Sequence, residues 1–171
     1  VTNSNGCSTT SAATAVIMNA LPTITLGANP AVCRGAASAN LTYTATTGTP
    51  NQYSIDYDAA ANAAGFTDAV NAALGASPIV LTVPGAAAAG TYNAILTVRN
   101  STTTCVSNSY PITVTVNARP VPTITGSASV CLNSTTTYTT EAGMSGYTWT
   151  VSAGGTITSG AIWYNWRRDL Q

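Results

Sequence analysis

The chain of 171 residues contains no histidine, and its five basic residues are all arginine. Without an imidazole there is no Ser-His-Asp or Cys-His arrangement to activate a nucleophile. The cysteines likewise lack the usual partner for a zinc site. Charge is scarce: charged residues make up 6% of the chain, against roughly 25% in an average soluble domain. The acids are Asp56, Asp58, Asp68, Glu141 and Asp169; the bases are Arg34, Arg99, Arg119, Arg167 and Arg168. Their formal sum is zero, so neither a phosphate backbone nor an anionic membrane is attracted strongly. Long apolar runs are missing too. Thr, Ser, Asn or Gly interrupts every one, and much of the hydropathy comes from alanines such as Ala59, Ala60 and Ala61, which excludes a membrane-spanning helix. No secretory leader pattern opens the chain at Val1.

Self-similarity is the clearest feature that is present. LPTITLGANPAVC at 21–33 returns as VPTITGSASVC at 121–131, each followed by a Thr/Tyr segment, LTYTAT from Leu41 and TTTYTT from Thr135. Cys7 and Cys105 are 98 residues apart, as are Cys33 and Cys131. Ahead of each PTIT lies a related run, TNSNGCSTTSAATAVIMNA and RNSTTTCVSNSYPITVTVNA. A period near one hundred residues is the size of an immunoglobulin-like sandwich. It divides the chain into 1–20, the last strand of an upstream unit; 21–119, one complete domain; and 120–171, an incomplete further domain. The proline-stiffened junctions at Leu21-Pro22 and Arg119-Pro120-Val121-Pro122 suit semi-rigid end-to-end stacking.

Within 21–119 period-two alternation predicts antiparallel strands over 23–26, 40–46, 52–57, 79–83, 91–99 and 112–116. The alternation puts Leu41, Tyr43 and Ala45 on one face; Tyr53, Ile55 and Tyr57 on one face; Tyr92, Ala94, Leu96 and Val98 on one face or Ile95 and Thr97 on the other; and closes the unit through Ile112, Val114 and Val116. Phe66, Val70 and Leu74, at i, i+4 and i+8, point to a short turn of helix or an irregular loop. The fold expected is all-β, with antiparallel immunoglobulin-like β-sandwich repeats in tandem.

YSIDYDAAANAAGFTDAVNAAL (53–74) and SPIVLTVPGAAAAGTYNAILTVRNSTTTC (77–105) resemble a repeat module of very large surface proteins of Bacteroidetes. VCLNSTTTYTT (130–140) and GYTWTVSAGGTITSG (146–160) resemble the related PKD-like module of the same proteins. The resemblance covers most of 1–160. It implies an immunoglobulin-like sandwich, export by the type IX system, a place at the cell surface, an adhesive or spacer role, and no catalytic residues. The tail AIWYNWRRDLQ (161–171) departs from that pattern.

Several residues are candidates for more than packing. Cys33 and Cys105 each flank the strands of one unit and are expected to pair. Such a bridge closes a long loop and adds about 4 kcal/mol. The difficulty is that in a regular sandwich the two positions lie at opposite ends, which leaves cross-unit bridges as the alternative. Cys7 and Cys131 are expected to be unpaired or to bridge between units. Asp56 and Asp58, with Asp68, are candidate Ca²⁺ ligands, but their spacing matches no EF-hand or RTX pattern and solvated surface acids are the better reading. No other cofactor is expected. Asn40, Asn100 and Asn133 open Asn-x-Ser/Thr triplets. Trp149 falls where a sandwich keeps its core Trp, whereas Trp163, Tyr164 and Trp166 are candidates for a binding surface. The expected partners are neighbouring repeats or identical subunits, with surface glycans or proteins as further candidates, and no nucleic acid or membrane span. Three functions follow: a structural or adhesive module of a secreted surface protein or fibre; a recognition module for glycan or protein; and a subunit of an extracellular filament in which residues 1–20 of one copy complete the open unit of the next.

Overall fold

The computed structural model describes residues 1–157 and the backbone of Trp166–Leu170. The chain forms two compact units, Val1–Arg119 and Pro120–Gln171. Each is β structure, and one short helix lies in the first.

In the first unit the strands are β1 (Thr23–Leu26), β2 (Ala31–Cys33), β3 (Ser38–Leu41), β4 (Tyr43–Thr47), β5 (Gln52–Tyr57), β6 (Ala69–Ala73), β7 (Ile79–Thr82), β8 (Gly90–Arg99) and β9 (Tyr110–Asn117). The helix α1 spans Ala59–Ala63. Five strands form one sheet in the order β2-β9-β8-β5-β6. All its pairings are antiparallel except β2 with β9. The facing layer is β1 paired with β4 and β3 paired with β7, both antiparallel. Only Thr42 separates β3 from β4, so these behave as one long strand with β7 beside its first half and β1 beside its second.

The chain from β1 to β2 changes sheets, and Gly27 makes this possible. Its N–H donates to the Thr42 carbonyl at 2.7 Å. A Cβ there would collide with Thr42 Oγ1 and sit 3.2 Å from Thr42 O. The crowding goes with a bulge: Leu26 faces Tyr43 while Thr25 faces Ala45, which leaves Thr44 as the extra residue. The bulge ends the alternation expected through Leu41, Tyr43 and Ala45. Leu41 is fully buried, Tyr43 half-buried and Ala45 exposed.

The other alternating faces do turn inward. Ile55 and Tyr57 of β5, Ala94, Leu96 and Val98 of β8, and Ile112, Val114 and Val116 of β9 meet Ala39 and Leu41 of β3 and Ile79 and Leu81 of β7 in one core. Cross-strand register places Leu96 opposite Ile55 and Ala94 between Tyr57 and Ile112. Removing such side chains from water is the main drive for the sandwich.

The helix lies elsewhere than expected. Residues 69–73, read as helix or loop, form edge strand β6 against β5. The helix comes earlier in the chain, ahead of Phe66, where Asp58 caps it by accepting from the Ala61 N–H at 2.7 Å. Phe66 still reaches the core, packed between Tyr57 and Tyr92 in tilted pairs with ring centroids at 5.0 and 4.5 Å. Val70, read as its helical neighbour, is exposed.

In the second unit β10 (Thr135–Tyr138), β11 (Gly155–Ile157) and β12 (Trp166–Leu170) form an antiparallel sheet in the order β10-β12-β11. Thr125 and Thr139 exchange both backbone hydrogen bonds, at 2.8 and 2.9 Å. Gly126 is needed beside them because the Tyr138 ring occupies the space of a Cβ.

Candidate functional site

The end of the first unit where Leu21 leads into the sandwich is held by a polar lock. Asn100, 9% exposed, uses its whole side chain. Nδ2 donates to Gly48 O at 3.0 Å and Thr49 Oγ1 at 2.9 Å, while Oδ1 accepts from the Thr102 and Thr103 N–H groups. Asn51 pairs twice with Ser101, and Ser107 Oγ accepts from the Val98 N–H at 2.9 Å. Gly48, with φ near +68°, packs on Pro22, so the lock reaches the residue that opens β1. Asn100 heads one of the Asn-x-Ser/Thr triplets. Its amide is instead a buried structural hub, which satisfies polar groups that would otherwise be desolvated without partners. Asn40 and Asn133 are exposed.

The acids are similarly engaged. Asp58 caps α1 and accepts from Asn93 Nδ2 at 3.0 Å; the Ala61 N–H and then the Asn93 amide hold its carboxyl below the usual aspartate range. Asp68 accepts from the Tyr57 N–H at 2.9 Å. Burial, then the Asp68 charge, pushes the Tyr57 phenol up to about 12. Asp56 is exposed on the outward face of β5, opposite Ile95, which in turn faces Pro111. These residues, with Asn93 and Thr113, line a shallow depression of about 380 Å³. Among the described residues no three His, Cys, Asp or Glu side chains gather as metal ligands.

The structure does not bring Cys33 and Cys105 together, and all four cysteines are free thiols. Cys33 pairs with Asn117 at the exit end of β9, whereas Cys105 precedes the start of β9 and accepts at its carbonyl from the Asn100 N–H. The length of β9 thus separates them, about 20 Å against the 7 Å limit between Cα atoms for a disulfide. Cys7 and Cys131 are exposed.

In the second unit Glu141 ties two chain segments. Oε1 accepts from the Thr123 N–H and hydroxyl, and Oε2 from the Thr140 hydroxyl. These hydroxyls, Thr123 first, hold the carboxyl down at about 2. Tyr147 donates to the Glu141 carbonyl at 2.6 Å, and beside it Pro120, Pro122, Met144 and Tyr147 line a cavity of about 210 Å³. Trp149 is half-buried and lies outside the strands. Trp166 opens β12, while Trp163 and Tyr164 lie outside the described residues.

Paired sheets with a strand that crosses between them, joined by tight polar loops, define an all-β sandwich module of the PKD and immunoglobulin-like kind. Residues 116–162, nearly all of them in the second unit, match the family of PKD-like domains. No curated protein and no solved structure matches the chain. Modules of this class are structural or adhesive and generally non-catalytic. They are typically extracellular, and no helix among the described residues is long and apolar enough to cross a membrane.

Proposed function

We propose that the chain is a stretch of a tandem array of immunoglobulin-like and PKD-like modules in a secreted surface protein or fibre, where it bears load as an adhesive spacer. The observation that carries this reading is the parallel pairing of β2 with β9. The first strands and the last run the same way, so the chain comes in beside Pro22 and leaves past Asn117 at the other end. Tension on the two ends then pulls β2 and β9 in opposite directions along their common ladder. Its hydrogen bonds are loaded together in shear instead of being peeled one at a time. Arg34 N–H to Asn117 O at 2.8 Å and Arg119 Nε to Arg34 O at 2.6 Å close that ladder at the exit.

Single-molecule force spectroscopy on the chain held by its ends tests this. Residues 21–119 are expected to rupture in one step that releases about 30 nm of chain. Val32→Pro, which removes a ladder donor, is expected to lower the rupture force clearly. An unfolding force unchanged by Val32→Pro would remove the load-bearing role.

A recognition role has one observation in its favour, the exposed row Asp56, Ile95 and Pro111 on the outward face of the five-stranded sheet. Glycan-array binding abolished by Ile95→Arg would support it, and signal indifferent to that change would count against it.

A further inference from the structure

Offset by 98 residues, the spacing from Cys7 to Cys105, residues 1–20 align with 99–118, the part of the first unit that ends its sandwich. Thr14, Val16 and Met18 stand where Ile112, Val114 and Val116 stand in β9, with Ala15 and Ile17 at the places of Thr113 and Thr115, and Asn19-Ala20 at those of Asn117-Ala118. In β9 the inward three are 1%, 0% and 2% exposed. In the earlier copy Val16, Ile17 and Met18 are 85%, 81% and 94% exposed, and residues 9–22 carry no strand.

The turn ahead of each copy is built on the same plan, with Asn3 four residues before its cysteine and Asn100 five. Asn100 Oδ1 gathers the N–H groups of Thr102 and Thr103, its own N–H donates to Cys105 O, and Thr104 takes a positive φ of 58°. Asn3 Oδ1 gathers the N–H groups of Asn5 and Cys7, its own N–H donates to Cys7 O, and Gly6 takes a positive φ of 81°. An asparagine-headed turn, a left-handed residue and a cysteine thus come before the strand in both places. In the first copy the turn has formed and the strand after it is unpaired.

We infer that residues 12–19 are a last strand that seats in a partner: an immunoglobulin-like sandwich of this same repeat type whose β9 position is open. The seat is the one β9 occupies here, antiparallel to a β8-type strand and parallel to a β2-type strand. Thr14, Val16 and Met18 turn inward in it, and the backbone groups of residues 12–19 gain a ladder on both sides. The inference rests on the repeat reading but not on load-bearing: a chain can fail the force experiment and still carry this strand.

A graft tests the strand in the full chain. Ile112→Thr, Thr113→Ala, Thr115→Ile and Val116→Met together write residues 14–20 into β9. A second graft replaces 112–118 with residues 13–19, one position out of register. The in-register graft is expected to unfold cooperatively, at least about 5 °C above the shifted one. Equal melting, or no cooperative transition in the in-register graft, overturns the inference. Seating in a partner is read separately, by anisotropy of a labelled peptide of residues 8–20. It is expected to bind the full chain carrying Val114→Asp and Val116→Asp, and to bind the unaltered chain, whose seat is filled, at least about tenfold more weakly. Val16→Asp with Met18→Asp in the peptide is expected to abolish binding. A peptide that binds neither chain, or both equally, overturns the seating.

Discussion

Asn100 shows how one side chain can hold a loop cluster. It joins the end of β8 to the turn after β4 and heads its own turn, using two donors and one acceptor in a nearly dry site. Asn100→Ala leaves Gly48 O and the Thr102 and Thr103 N–H groups without these partners, and is expected to cost about 2–3 kcal/mol by urea denaturation. Asn100→Asp is not expected to restore this, because a carboxylate cannot donate to Gly48 O. Gly27 is a steric hub instead. Gly27→Ala is expected to destabilise by about 1–3 kcal/mol, with part recovered when Thr42→Ala removes the hydroxyl that the new methyl meets. Glu141 makes the acid response of the second unit specific. Its carboxyl is held at about 2, below the ordinary 4.5, so the ionised form is favoured by folding. The stabilisation is therefore complete above pH 4.5 and is lost as pH falls towards 2. All three tryptophans lie in the second unit, so their fluorescence reports on it selectively. Glu141→Gln is expected to flatten the fluorescence change across that window.

At the scale of elements, a strand was legible in the sequence where its own side chains decide the matter. β5, β8 and β9 alternate over six to ten residues, and burial follows the alternation. β2 and β6 gave no such signal. β2 is three residues long, and a partner more than eighty positions away makes it a strand. β6 is mostly alanine, and the Phe66-Val70-Leu74 spacing that runs across it imitates a helix. Pairing with β5 overrides that local pattern, as tertiary context commonly does. The bulge in β6 depends on Asn71, which takes φ near +50° and donates its N–H to Ser54 Oγ at 2.9 Å. Asn71→Val forces a branched residue into the left-handed region and is expected to cost about 1–2 kcal/mol, whereas Asn71→Gly is expected to stay within about 0.5 kcal/mol. Thermal melts of the two variants check this. The candidate sites were less legible than the strands. Residue type alone does not distinguish an asparagine that heads a buried turn from one in a glycosylation triplet. Nor does it show that Asp58 is already committed to capping a helix.

For the whole molecule, the scarcity of charge shapes how it responds to solution conditions. Apolar burial and backbone ladders hold the first unit together, and its acids serve mainly as hydrogen-bond acceptors to nearby N–H groups. Screening by salt acts on charge pairs and long-range fields, and with a formal net charge of zero there is little of either to screen. Salt-rich and salt-poor surroundings should therefore leave the fold about equally stable. Raising NaCl from about 0.02 M to about 0.5 M at pH 7 is expected to shift the melting temperature of the first unit by less than about 2 °C. Followed by tyrosine circular dichroism, a shift several times larger would show that unseen charge pairing carries the sandwich. Sulfate at the same ionic strength, which strengthens apolar burial, is expected to raise the melting temperature where chloride does not. The contrast between the two salts separates a fold held by burial from one held by charge.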